Sequence, residues 1–107
     1  MFDLSRVDTV TGTVRVFEWT EPHAWLDLLI TDQSGQSQVV AFQCLDPGVL
    51  QRHGWNRYSL LSGQRVQVSY YPERSGRPGG ALRTVTLGNG TVLASYDFPP
   101  QAQRPAQ

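Results

Sequence analysis

The sequence contains no lysine, and all nine of its basic residues are arginine. Any mechanism that needs a lysine amine is thereby excluded. It has one cysteine, Cys44, so no disulfide can close within the chain. Neither sign of charge predominates: nine basic residues balance nine acidic ones to a formal net charge of zero. A nonspecific nucleic-acid binder draws most of its affinity from counterion release and carries a basic excess. None is present here, which argues against nucleic acid as the partner. No apolar run approaches the roughly 18–20 residues of a membrane-spanning helix, so no transmembrane segment is expected. The first residues, MFDLSRVDTV, have neither the basic n-region nor the apolar h-region of a signal peptide.

What is present reads as a β protein. Ten glycines and seven prolines in 107 residues favour turns and short strands over long helices. A chain of this length fits one domain and buries about two-thirds of its unfolded surface without staples. We expect a single domain over residues 1–98 and a disordered, Pro/Gln-rich tail over 99–107, which carries no core residue.

The order of elements follows from period and punctuation. Asp8 to Trp19 is rich in β-branched and aromatic residues and predicts a long strand. Val10, Val14 and Val16 are expected on one face, with Gly12 marking a bulge or sharp bend. A turn at Thr20-Glu21-Pro22-His23 leads to a second strand, Ala24 to Asp32, with Leu26, Leu28 and Ile30 inward by period two. Gln33 to Gln36 makes a hairpin turn, and Ser37 to Cys44 returns as a third strand with Val40 and Phe42 in the core. Asp46-Pro47 then reads as a helix cap and first turn, closed by Gly54. Gln64 to Tyr71 gives a fourth strand with Val66, Val68 and Tyr70 on one side. After the polar loop Pro72 to Gly80 comes a fifth, Ala81 to Leu87, with Val85 buried. Gly88-Asn89-Gly90 turns into a short extra strand at Thr91 to Tyr96. Three strands, a short helix and two strands is the order of a five-stranded OB-fold-like barrel, an all-β class with one helix.

Chemistry-bearing residues are few. A Cys-His nucleophile would need Cys44 beside His23 or His53 with a third group orienting the base, and no sequence feature supplies it. Asp27, Asp32 and Asp46 are accounted for as a strand-face residue, a turn residue and a helix cap. The Gly76–Gly80 loop lacks the strand-to-helix context of a phosphate cradle. No catalytic residue and no cofactor is therefore expected. His23, Cys44 and His53 are the only soft or borderline metal ligands, spread over three elements without a ligand spacing. The aromatic residues are more suggestive. Trp19 and Trp25 flank the Pro22-His23 turn, Trp55 follows His53, and Arg52 and Arg57 lie at the same helix end. Strand parity sends the turn and the helix exit to one end of the barrel, so these seven (Trp19, His23, Trp25, Arg52, His53, Trp55, Arg57) form a candidate binding surface. The blander alternative buries Trp55 as a plug and ties His23 to a backbone carbonyl. OB folds bind on the second and third strands and their loops, where Trp25, Asp27 and Leu29 are expected to face outward. Leu29, Val39 and Tyr71 are expected to be exposed, and a patch of them would favour protein contact.

Three stretches together resemble a family of small exported bacterial proteins known as domain of unknown function 6152. They are TGTVRVFEWTEPHAW (Thr11 to Trp25), LQRHGWNRYSLLSGQRVQV (Leu50 to Val68) and GGALRTVTLGNGTVL (Gly79 to Leu93). Members read W-T-N-P-H at the first turn, where this chain has Glu21 for the Asn, and carry a paired-histidine segment before the region seen here. Any metal role of those histidines does not transfer. The resemblance implies a periplasmic or secreted OB-like barrel and no known activity. The expectation is a non-enzymatic periplasmic binding or accessory module for a small ligand or protein partner. The alternative is an interaction subunit of a larger extracytoplasmic assembly, and a third reading is a metal-binding or single-stranded nucleic-acid-binding OB domain.

Overall fold

A computed structural model of the protein describes residues 1–97, so the expected tail at 99–107 lies outside the described residues. The elements are β1 (Asp8–Glu18), β2 (Trp25–Thr31), β3 (Ser37–Gln43), α1 (Pro47–Arg52), β4 (Arg65–Pro72), β5 (Gly80–Thr86) and β6 (Val92–Ala94). The strands run in the order β3-β2-β1-β4-β5-β6, and β3 also pairs with β5. That last contact is parallel, through Phe42 with Gly80 and Gln43 with Ala81, and it closes five strands into a barrel with β6 as an addition.

β1 is long because it serves two partners: residues 8–13 pair with β4 and residues 13–18 with β2. Gly12 stands where the strand bends between them. A Cβ there would lie 2.7 Å from the Leu29 carbonyl oxygen and 2.8 Å from Leu28 Cγ, so only glycine admits this approach. The bulge itself falls later than Gly12, at Arg15, between the pairs Val14–Leu28 and Val16–Asp27. Its carbonyl accepts from the Ser62 hydroxyl at 2.6 Å. The extra residue reverses the parity of the strand. Val16, expected in the core beside Val14, is consequently 40% exposed, and Phe17 turns inward in its place.

Leu26, Leu28, Val40, Phe42, Val66, Val68 and Val85 are buried as expected, joined by Leu50, Leu60 and Leu82. Ile30 is only half-buried, since it lies opposite Gln38 near the open β2–β3 hairpin. Tyr71 corrects a second expectation: it is fully buried, not exposed. At this end of β4 the chain is covered on two sides. Segment 1–3 runs along Pro72, with the Asp3 amide donating to the Pro72 carbonyl at 2.8 Å. On the other side Gly80 presses so close that a Cβ would collide with the Tyr71 carbonyl.

α1 starts and stops as its sequence directs. The Asp46 carboxylate accepts from the Val49 amide at 2.8 Å, with Pro47 in the first turn. At the other end Gly54 takes φ +92, the Gly54 amide donates to Gln51 at 3.1 Å and the Trp55 amide to Leu50 at 3.0 Å. This is a Schellman ending, whose usual apolar partner contact matches the buried pair Leu50 and Trp55. Gly79, with φ +89, and Gly80 form the seam at the start of β5, where a Cβ at Gly79 would strike the Ala41 carbonyl.

Candidate functional site

The turn between β1 and β2 is stitched to the residues that lead from β3 into α1. The Ala24 amide donates to Leu45 at 3.1 Å and the Cys44 amide to Ala24 at 2.8 Å. Within the turn the Glu21–Pro22 peptide is cis, and the Thr20 hydroxyl donates to the His23 carbonyl at 2.8 Å. This places His23 Nδ1 at 3.1 Å from the Cys44 carbonyl oxygen. A carbonyl only accepts, so Nδ1 carries the proton in this bond. The Tyr96 hydroxyl joins the group: it donates to the same carbonyl at 3.3 Å and accepts from Gln43 Nε2 at 2.9 Å. Burial pushes the Tyr96 phenol above its ordinary value, opposed by the bond from Gln43. The sequence reading missed Tyr96 and Gln43, because nothing local links residues 53 apart.

The seven sequence-predicted residues divide. Trp55 belongs to the core: it is 2% exposed, and its indole N–H donates to the Ala94 carbonyl at 2.9 Å. The Phe17 ring lies between Trp19 and Trp55, with centroids 5.8 and 5.7 Å away. The first turn and the helix exit do therefore meet, but as half-buried packing. Arg52, His53 and Arg57 are exposed, and their side chains make no hydrogen bond or ion pair among the described residues. His23, Cys44 and His53 do not gather into a metal-holding group among those residues. The Cys44 thiol is fully buried, and burial pushes it up to about 12, so it holds no thiolate at neutral pH.

Trp25 stands elsewhere. It opens β2 opposite Gln43 of β3, both side chains half-buried on the outer face of the barrel. Together with Phe2, Ala41, Glu73, Arg77, Pro78 and Gly80 they line a concavity of about 230 Å³. This is the meeting place of the β2–β3 outer face and the loop 73–79 between β4 and β5. Gln43 belongs both to this hollow and to the His23–Tyr96 group, so the two adjoin. The Arg77 guanidinium has no ion pair among the described residues. A larger hollow, about 360 Å³, lies among Gln64, Arg65, Val66, Leu87, Gly88 and Asn89, but it has no aromatic wall. The smaller one gathers the more specific chemistry: an indole, a phenyl ring, an amide, a carboxylate and a free guanidinium. Phe2, Glu73 and Arg77 were not expected here. Only closure of the barrel brings the N-terminal segment and the loop 73–79 together here.

A family model described as a family of unknown function (DUF6152) matches residues 1–83. No curated protein and no solved structure matches the chain.

Proposed function

The chain belongs to the DUF6152 family, and from that premise we propose that it is a non-enzymatic, extracytoplasmic binding module whose ligand occupies the hollow between the β2–β3 face and the loop 73–79. The observation that carries this reading is the convergence of Trp25, Gln43 and Arg77, which has no ion pair among the described residues, on one concavity. An OB barrel presents ligands on this face, between strands two and three and the loop joining strands four and five. The volume is below the roughly 300 Å³ at which drug-sized pockets begin. It suits one ring or one side chain of a longer ligand. The export assignment rests on the resemblance of the chain to small exported proteins. The non-enzymatic assignment is supported by the buried thiol of Cys44.

Native mass spectrometry of the protein purified from its source tests the reading. A retained species is expected, lost in Trp25→Ala and in Arg77→Ala at unchanged melting temperature. Retention that ignores both substitutions refutes the assignment. Recovery from the cytoplasmic fraction refutes the export assignment alone.

A second reading has its own observation. Leu29 and Val39 face each other across β2 and β3 and are 38% and 40% exposed, an apolar pair on the outside of the barrel. Such a pair favours docking into a larger assembly. Leu29→Glu separates the two readings, since it would release an assembly partner while leaving the retained ligand in place.

A further inference from the structure

One wall of the concavity is supplied by a segment that is not part of the barrel. Residues 1–3 lie extended beside the end of β4. The Asp3 amide donates to the Pro72 carbonyl at 2.8 Å, the Arg74 amide donates to the Met1 carbonyl at 2.9 Å, and Phe2 pairs antiparallel with Glu73. The Phe2 side chain lines the hollow alongside Trp25. Past this point the chain turns, the Arg6 amide donating to the Asp3 carbonyl at 3.3 Å, and enters β1, with Leu4 and Val7 about half exposed. The rim of the site thus already holds a short extended peptide, seated by main-chain bonds and one aromatic side chain. Main-chain bonds of this kind do not depend on sequence, and the pocket for the alternate side chain supplies selectivity. The seated segment's Met1 ammonium pairs with the Glu73 carboxylate of the rim at 3.1 Å. The Asp3 carboxylate is turned onto Ser5, with Arg74 near enough to favour its ionised form. Arg77 adds a second guanidinium beside the hollow, with no ion pair among the described residues.

We propose that this rim recognises an extended peptide in which an aromatic side chain is followed by an acidic one, and that residues 1–3 are its internal competitor. The peptide pairs antiparallel along Pro72–Arg74 and lays its aromatic ring in the place of Phe2. The inference rests on the binding-module reading above and names the ligand class for the same site. The internal segment has two backbone hydrogen bonds to the rim. An incoming strand can replace both.

The test uses the full-length ¹⁵N-labelled chain and a synthetic peptide, acetyl-MFDLSR-amide, with two variants. Added to the Phe2→Ala chain, the peptide is expected to shift the Trp25 indole signal and the amides of Arg74, Gly76 and Gly79. Its affinity for that chain is expected to be at least about tenfold tighter than for the unsubstituted one, because the competitor is gone. The peptide with alanine in place of its phenylalanine is expected to shift nothing. Arginine in place of its aspartate is expected to weaken binding about tenfold. In the unsubstituted chain an excess of peptide is expected to move the Phe2 amide, a measurement that does not depend on how Phe2→Ala folds. The proposal is overturned if the peptide leaves these signals unmoved in both chains, or if its alanine variant binds equally well. Should maltotriose or a dT octamer move Trp25 where the peptide does not, the site stands and the peptide falls.

Discussion

The indole N–H of Trp55 reaches the carbonyl oxygen of Ala94 at 2.9 Å, tying the exit of α1 to β6. The ring is buried beside Phe17, so one side chain both fills the end of the barrel and satisfies a strand carbonyl. Trp25, by contrast, has its ring on the outer face. Trp55→Ala is expected to cost about 3–5 kcal/mol, the range for deleting a buried aromatic. Trp25→Ala should stay within about 1 kcal/mol. Urea denaturation with unchanged m values measures both. Comparable losses would return Trp25 to the core.

Cys44 should be chemically silent in the folded protein. Its Sγ is fully buried and its thiol is pushed up to about 12, so neither access nor ionisation favours attack. At pH 8 a disulfide reagent such as dithionitrobenzoate is expected to label it only as fast as the protein opens, and at once in denaturant. Rapid labelling of the native chain would contradict the burial described.

Two glycines should fail for different reasons. Gly12→Ala places a methyl group against the Leu29 carbonyl and the Leu28 side chain, and about 1–3 kcal/mol of overpacking is expected. Gly35→Ala meets no atom within 4 Å, but its φ of +88 disfavours an L side chain, so a loss of about 1–2 kcal/mol is expected. Thermal unfolding gives the size of each loss. The cause shows in a second substitution: Leu28→Val should ease Gly12→Ala and leave Gly35→Ala unchanged.

The β2–β3 hairpin should weaken in acid. The Asp32 carboxylate accepts from the Ser34 hydroxyl and amide and from the Gln36 amide, and the Ser34 hydroxyl bond and then the Gln36 amide hold its pKa below the ordinary carboxylate value. A depressed folded pKa gives stability that is present at neutral pH. That stability is lost as pH falls below about 4, through the folded value. The gap in melting temperature between the protein and Asp32→Ala is therefore expected to shrink on acidification. A gap that widens would reverse the assignment.

These outcomes follow the line between what local sequence encodes and what folding adds. The strand alternation at Leu26-Asp27-Leu28, the helix start signal Asp46-Pro47 and the stop signal Gly54 act through neighbours a few residues away. They were legible for that reason. The bulge at Arg15 exists only because β1 must match β2 on one side and β4 on the other. Val16 and Phe17 accordingly exchanged places without any local sign. Tyr71 looked outward by parity and is buried where β5 pairs with it and segment 1–3 runs along the adjoining Pro72, contacts that no local pattern announces. His23 and Trp25 were singled out from their own turn. Phe2, Gln43, Arg77 and Tyr96 were not, because closure of the barrel is what gathers them. At the helix exit the plug alternative holds for Trp55, whose N–H is committed to Ala94.

The glycine seam at Gly79 and Gly80 has a consequence for how this domain can vary. Both positions are fixed by the neighbouring backbones of Ala41 and Tyr71, not by the loop that precedes them. The joint that locks β5 into the barrel therefore stays shut whatever the six residues Glu73 to Pro78 happen to be. The loop behaves as an exchangeable cassette clipped into a fixed frame. Its length and charge can change without moving the joint that holds β5 in the barrel.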